Sequence, residues 1–223
     1  MKFEIGLYDH DGVIANSLKH AWETEKEQFK KIGAKKPTLK TFRKSHDSDY
    51  DSHYLKTIKL SQSQYQKFNA TYRKTEGKIK AKLPEIQMLP GAKNTLLKSS
   101  QELGKENIHI ISGSQKKELE DFYKKNKLPY GQIHSIWDSK AEIISLLSKK
   151  KKTFFLTDSG KDILSAKKAK EKGANSLIVI VLATKYSFSN KKILEKLAKE
   201  NSDYVFLARN FKEVNKILFT KKL

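Results

Sequence analysis

A chain of 223 residues and 25.7 kDa, with 37% hydrophobic and 10% aromatic residues, has the size and apolar content of one domain, or of one domain carrying an insertion. Disorder throughout is excluded, and the absence of cysteine excludes a disulfide framework, a thiolate metal site, an iron–sulfur cluster and a cysteine nucleophile. A net charge of +21 favours anionic partners and keeps nucleic acid under consideration, yet only Arg43, Arg73 and Arg209 are arginines, and the lysines are scattered in short runs such as Lys149 to Lys152 and Lys191-Lys192, which favours a solvated surface.

In chain order, short apolar runs alternate with amphipathic stretches, the pattern of a parallel sheet covered by helices. The expected class is α/β, a Rossmann-like sheet with helices on both faces. Strands are expected at Phe3–Asp9, Asn107–Ser112, Gln132–Ile136, Thr153–Asp158, Leu177–Ala183 and Tyr204–Ala208, and their near-continuous apolar character suits burial on both faces. The longest apolar run, Leu177 to Ala183, is too short to span a bilayer, and the opening MKFEIGLYDHDG has no signal-peptide core. These features lead to the expectation of a soluble cytoplasmic protein without a membrane partner.

Residues 17–83 interrupt the rhythm. Leu18, Trp22, Glu25 and Phe29 predict one helix face and Tyr65, Phe68 and Tyr72 another. Gly33 is expected to end the first helix, and Ser61 with Gln64 to form a capping box opening the later one. The expected organisation is an α/β core of residues 1–16 and 84–223 with a helical insertion at 17–83. Further cap spacings occur at Ser112 with Gln115, Ser139 with Glu142, Asn210 with Glu213, and around Asp158-Ser159, with Gly173 closing the helix that follows. Strand ends thus coincide with helix starts, where a parallel sheet places its ligand crevice.

Two acidic motifs lie at strand ends. Asp9-His10-Asp11-Gly12 lets Asp9 and Asp11 lean toward one site while His10 points away; an acidic capping loop explains the tetrapeptide equally well. Thr157-Asp158-Ser159-Gly160-Lys161-Asp162 is expected to put Asp158 and Asp162 on one face of a first helical turn. If the four aspartates converge, unit charges ~4 Å apart repel by about 4 kcal/mol at an effective dielectric near 20, so a cation must sit among them. Oxygen donors without clustered histidine favour a hard ion such as Mg2+. Asp47, Asp49 and Asp51 lack the glycine and the closing glutamate of an EF-hand loop.

With these residues in place, the chain resembles the haloacid dehalogenase superfamily of phosphohydrolases over nearly its whole length. Asp9-His10-Asp11-Gly12-Val13 is similar to the first motif, Ser112 at the end of Ile108-His109-Ile110-Ile111 to the second, Lys140 in Asp138-Ser139-Lys140 to the third, and the Asp158/Asp162 pair to the fourth. The insertion resembles the helical cap of the phosphoglycolate phosphatase and β-phosphoglucomutase branch.

The resemblance implies Asp9 as nucleophile, Asp11 as general acid and base, and Lys140 neutralising charge on the phosphoryl group. It further implies Ser112, Gly113 and Lys140 as phosphate ligands, and Asp9, Asp11, Asp158 and Asp162 around Mg2+, Asp162 either binding or orienting. A plain helix cap is the lesser alternative for Ser112. His10 stands where the family carries an apolar residue and is expected to be structural, Thr157 replaces a common glycine, and Asn16 a frequent aspartate.

In the insertion, Arg43, Lys44, His46 and His53 are candidates to touch the leaving group, though a solvated loop explains them as well. Trp22 and Tyr50 are expected to pack the insertion. The implied reaction is Mg2+-dependent hydrolysis of a small phosphorylated metabolite through an aspartyl phosphate. A phosphomutase would share every motif, and a basic nucleic-acid-binding protein or nucleic-acid-end phosphatase is the further alternative. The oligomeric state is not legible.

Overall fold

The computed structural model describes residues 2–47, 53–80, 82–136 and 139–220. Among them, one parallel sheet is built from β1 (Ile5–Tyr8), β2 (Ile108–Ser112), β3 (Gln132–Ser135), β4 (Thr153–Thr157), β5 (Leu177–Leu182) and β6 (Val205–Ala208), in the order β3-β2-β1-β4-β5-β6. Every predicted strand is present, the first trimmed at both ends and the others at one, so that Asp9 and Asp158 stand just beyond β1 and β4. Those two strands are neighbours in register Tyr8↔Leu156. The chain departs from β1 in one direction and from β4 in the other, which makes their carboxyl ends the topological switch point of the sheet.

Alternate strand residues enter two cores. Tyr8, Ile108, Ile110, Phe154, Leu156 and Ile180 pack with Leu96, Leu119, Tyr123 and Val214, from α4 (Ala92–Leu103), α5 (Lys116–Lys125) and α9 (Phe211–Phe219). Leu7, Ile111, Phe155, Val179 and Val181 pack on the other face with Ile144, Ile163, Ala166 and Leu194, from α6 (Ala141–Ser148), α7 (Gly160–Glu171) and α8 (Lys191–Glu200). This two-sided burial is what makes the strands read as unbroken apolar runs.

Between β1 and α4 the described residues hold helices: α1 (Leu18–Lys31), α2 (Leu39–Lys44), a π-helical turn (His53–Thr57) and α3 (Gln62–Lys80). Phe29, Ile32, Tyr54, Leu60, Tyr65, Phe68 and Tyr72 give them an apolar cluster of their own. The entry and exit of this segment lie side by side: Asn16 N donates to Gln87 O and Leu89 N to Ile14 O, both at 2.8 Å. The Ser61–Gln64 capping box is reciprocal, with Gln64 N donating to Ser61 Oγ at 3.2 Å and Ser61 N to Gln64 Oε1 at 3.0 Å. Asn210 caps α9 through Glu213 N at 3.0 Å, and α1 and α7 stop just short of Gly33 and Gly173.

The buried face of α1 differs from its predicted one. Leu18, Glu25 and Phe29 are buried as predicted, but Trp22 is only half-buried, donating to Pro37 O at 3.0 Å, and His20, Thr24 and Gln28 take part in the interior in its place. A search for apolar periodicity passes over such a face because its added members are polar, and Glu25 and Gln28 find their partners at distant positions. Glu25 accepts from Tyr54 Oη at 2.5 Å, and Gln28 Nε2 donates to Thr71 O at 3.2 Å. Tyr50, Asp49 and Asp51 lie outside the described residues.

Burial pushes the Glu25 carboxyl up to about 8 against the opposing bond from Tyr54. A raised folded pKa means that the folded chain binds the extra proton, so this stabilisation is complete below about pH 4.5 and is lost as pH rises through about 8. Glu25→Gln should therefore flatten the pH dependence of melting: relative to the variant, the parent chain should lose a few °C of Tm between pH 5 and 8 in a calorimetric series.

Candidate active site

The loop after β1 is a tight turn. His10 O accepts from Ile14 N at 2.8 Å and Ala15 N at 2.9 Å, and Gly12, at φ +71, closes it. A Cβ on Gly12 would lie 2.0 Å from Asp158 Oδ2, so residue 12 is glycine both for its backbone angle and to leave room for that carboxylate. The His10 side chain points away, as expected, its ring centroid 4.8 Å from Phe122 in an edge contact and 5.6 Å from Tyr123.

On the other side of the loop, Asp9, Lys140 and Asp162 form one buried unit. Lys140 Nζ lies 3.0 Å from Asp9 Oδ1 and 2.8 Å from Asp162 Oδ2, which also accepts from Thr157 Oγ1 at 2.7 Å. Thr157 thus ties the end of β4 to α7, a contact glycine could not make. Asp11 turns toward hydroxyls, accepting from Ser17 Oγ at 2.6 Å, Ser112 Oγ at 3.0 Å and Ser114 Oγ at 2.9 Å. Asp158 Oδ2 accepts from Phe188 N at 2.6 Å.

Three local expectations are corrected. Ser112 is not a helix cap: it ends β2, bonds to Asp11 and accepts from Ser114 N at 3.0 Å, while α5 opens at Gln115 without a side-chain cap. Asp158 and Asp162 do not share a helical turn, because Ser159 is the N-cap of α7 and accepts from Asp162 N at 3.2 Å; they approach one site from either side of that cap. Lys140 is itself the N-cap residue of α6, and Ser139 Oγ accepts from Ala141 N at 3.2 Å in place of a capping box with Glu142. The ammonium opposes the helix dipole, an unfavourable place that the two carboxylates beside it offset.

Electrostatics drive the unit. Asp9 is raised well above the usual carboxylate range by burial, by the charge of Asp162, its hydrogen bond with that residue, and the charge of Asp158, all against the pull of Lys140. Asp158 is raised likewise, by burial first and then by the charges of Asp162 and Asp11. Burial alone would raise Asp162, but Lys140 and the bonds from Asp9, Lys140 and Thr157 hold it below its ordinary value.

Among the described residues, no group of three or more His, Asp or Glu side chains stands ready-made as a metal cage. The donor set nevertheless fits a hard divalent ion: Asp9 and Asp162 share one ammonium, Asp11 and Asp158 lie beside them, and the site resists the ionisation of Asp9 and Asp158. A cation beside Asp9 and Asp158 would remove that resistance.

Of the candidates in the insertion, His46 is packed between Phe42 and Phe188, both with ring centroids 4.9 Å away. Burial lowers its imidazole to about 4, and Lys161 adds to the effect. Arg43 Nη2 donates to Lys185 O at 2.7 Å, and Lys44 is exposed. Arg43 and His46 thus lie against the loop after β5. Gly113 sits in the bend between Ser112 and Ser114, two of the three serines that bond Asp11. Sequence reasoning missed Ser17 and Ser114, which no spacing distinguishes from ordinary loop serines. Asp138 lies outside the described residues.

A family model of haloacid dehalogenase-like hydrolases matches residues 7–176, more than half of the chain. No curated protein matches the sequence. Three solved structures illustrate the fold. One, titled a candidate phosphoglycolate phosphatase from Lactobacillus delbrueckii, is 13% identical with a TM-score of 0.69 over 99% of this chain and 100% of its own. A predicted phosphatase from Clostridium acetobutylicum gives 16% and 0.70 over 99% and 100%. A haloacid dehalogenase-like family hydrolase from Streptococcus pneumoniae gives 17% and 0.67 over 96% and 98%. At such identities the likeness establishes the architecture.

Removing the single ammonium leaves Asp9 and Asp162 buried without compensation. Lys140→Met should cost roughly 3–5 kcal/mol in urea denaturation with EDTA present. Lys125→Met, which breaks an exposed pair with Glu85, should cost no more than about 1 kcal/mol.

Proposed function

Because the chain belongs to the haloacid dehalogenase-like hydrolase family, we propose that it is a divalent-metal-dependent phosphatase hydrolysing a small phosphomonoester through an aspartyl phosphate. The observation that carries this reading is the buried Asp9–Lys140–Asp162 unit at the switch point of the sheet, with Asp11 and Asp158 beside it.

In this reading Asp9, the Asp11 backbone carbonyl and Asp158 would hold Mg2+, with Asp162 orienting Lys140. The ion when bound supplies charge neutralisation between nucleophile and phosphate. Asp9 attacks phosphorus in line, forming the acyl phosphate as the ester P–O bond breaks, and Asp11 delivers its proton to the departing oxygen. Asp11 then takes a proton from water, whose oxygen attacks phosphorus and releases inorganic phosphate and the Asp9 carboxylate.

The hydroxyls of Ser17, Ser112 and Ser114 fix the Asp11 carboxylate; Ser17 and Ser114 are candidates to keep it in one rotamer through both proton transfers once the single Ser112 proton turns to the phosphate. Ser112 and the N–H groups around Gly113 would receive phosphate oxygens, and Lys140 would balance charge on Asp9 and the phosphoryl group. Residues 17–83 serve as a cap over the α/β core of 1–16 and 84–223, restricting substrates to small esters. The name of the Lactobacillus delbrueckii protein makes a small phosphorylated acid the first natural ester to test.

Turnover of an aryl phosphate should require Mg2+, cease in EDTA, and fall by at least about 1000-fold in kcat on Asp9→Asn. Undiminished turnover in EDTA or in Asp9→Asn would overturn the reading.

A further inference from the structure

The amino terminus of α7 presents N–H groups without partners inside the helix, and they are met from outside it. Asp162 N is capped by Ser159 Oγ, Gly160 N donates to Ser189 Oγ at 2.9 Å, and Lys161 N donates to His46 O at 3.0 Å. The last acceptor belongs to the inserted segment. His46 O also accepts from Ser189 Oγ at 2.6 Å, so one carbonyl of the insertion serves both α7 and the loop of residues 184–190 that follows β5.

Next to it, Asp47 engages Asn190 at two points: Oδ1 accepts from Asn190 N at 3.0 Å and Oδ2 from Asn190 Nδ2 at 2.8 Å. Gly160 permits this approach, since a Cβ there would lie 2.6 Å from Asp47 O. Phe42 and Phe188, together with Leu18, form an apolar seal across the junction, with Trp22 packed against it. The same loop reaches the site, because Phe188 N donates to Asp158 Oδ2 at 2.6 Å and Ser189 N to Asp158 O at 3.4 Å.

We propose that Asp47 and Asn190 form a strap that fixes the insertion on the core and, through Ser189 and Phe188, holds Asp158 and the start of α7 in working position. Asn190, Ser189 and Asp47 are positioning residues that touch none of the reacting groups. The role assigned to Asp158 rests on the phosphatase reading; the strap itself rests on the contacts above. When the insertion lifts, Lys161 N and Ser189 Oγ lose His46 O, and the loop carrying the donor to Asp158 is released with them.

The test is a swap. Asn190→Asp sets two carboxylates against each other, whereas Asp47→Asn combined with Asn190→Asp restores both hydrogen bonds, the backbone N–H of residue 190 still donating to the side-chain oxygen at 47 and the side-chain bond running in the reverse direction. In a Trp137→Phe background, Trp22 emission should shift to the red by several nanometres in Asn190→Asp and return in the double variant, as expected when an indole moves from an apolar seal into water. In the otherwise native chain, kcat for an aryl phosphate should fall on the order of tenfold in Asn190→Asp, with KM little changed, and recover in the double variant.

Asn190→Ala serves as the second single variant should Asn190→Asp fail to fold. Unchanged emission in the single variants, a shift without loss of kcat, or a double variant that restores neither would overturn the proposal. A role in stability alone would lower Tm and leave kcat per folded molecule intact. If the native chain turns over no phosphomonoester, the reading of the reaction fails, and the emission arm decides the strap independently.

Discussion

Four carboxylates gathered around one ammonium at the end of a parallel sheet set the terms for everything else in this molecule. A buried charge is tolerated only when paired, and Lys140 can pair with Asp9 and Asp162 but not also with Asp11 and Asp158. The chain answers locally with three hydroxyls on Asp11 and a backbone N–H on Asp158, and the remaining imbalance appears as the resistance of Asp9 and Asp158 to ionisation. On the proposed phosphatase reading, that residual is what a hard cation beside a phosphoryl group would balance.

The sheet order makes this concentration possible. Asp9 and Asp158 follow neighbouring strands, β1 and β4, while Ser112 ends β2 on the far side of β1. Groups more than a hundred residues apart in sequence, such as Asp11 and Ser112, come within hydrogen-bond distance because parallel strands end at one edge. The two cores back that edge on both faces, and the entry and exit of the insertion, at Ile14–Asn16 and Gln87–Leu89, are bonded side by side.

The strands and the acidic motifs were legible in the sequence for physical reasons. Two-sided burial writes itself as runs such as Leu177 to Leu182, and the chemistry of a strand end leaves its mark in Asp9-His10-Asp11-Gly12 and Asp158 to Asp162. Ser61 with Gln64 was legible because a capping box is a local contract between residues three apart. The hydroxyls around Asp11, the polar interior face of α1 and the junction of Asp47 with Asn190 were not. Each depends on partners brought together by the fold, 143 residues apart in the last case, through hydroxyl, amide and backbone groups that no local spacing singles out. Ser112 misled as a cap for the same reason, since a hydroxyl at a strand end advertises a nearby N–H as readily as a distant carboxylate.

A calorimetric titration of the chain with Mg2+ probes the charge imbalance most directly. One ion per chain should bind, with proton release as Asp9 and Asp158 ionise, so that the measured heat varies with the ionisation enthalpy of the buffer, and Asp158→Asn should weaken or abolish the binding. A native chain that binds no divalent ion, or binds it equally well after Asp158→Asn, would contradict the account.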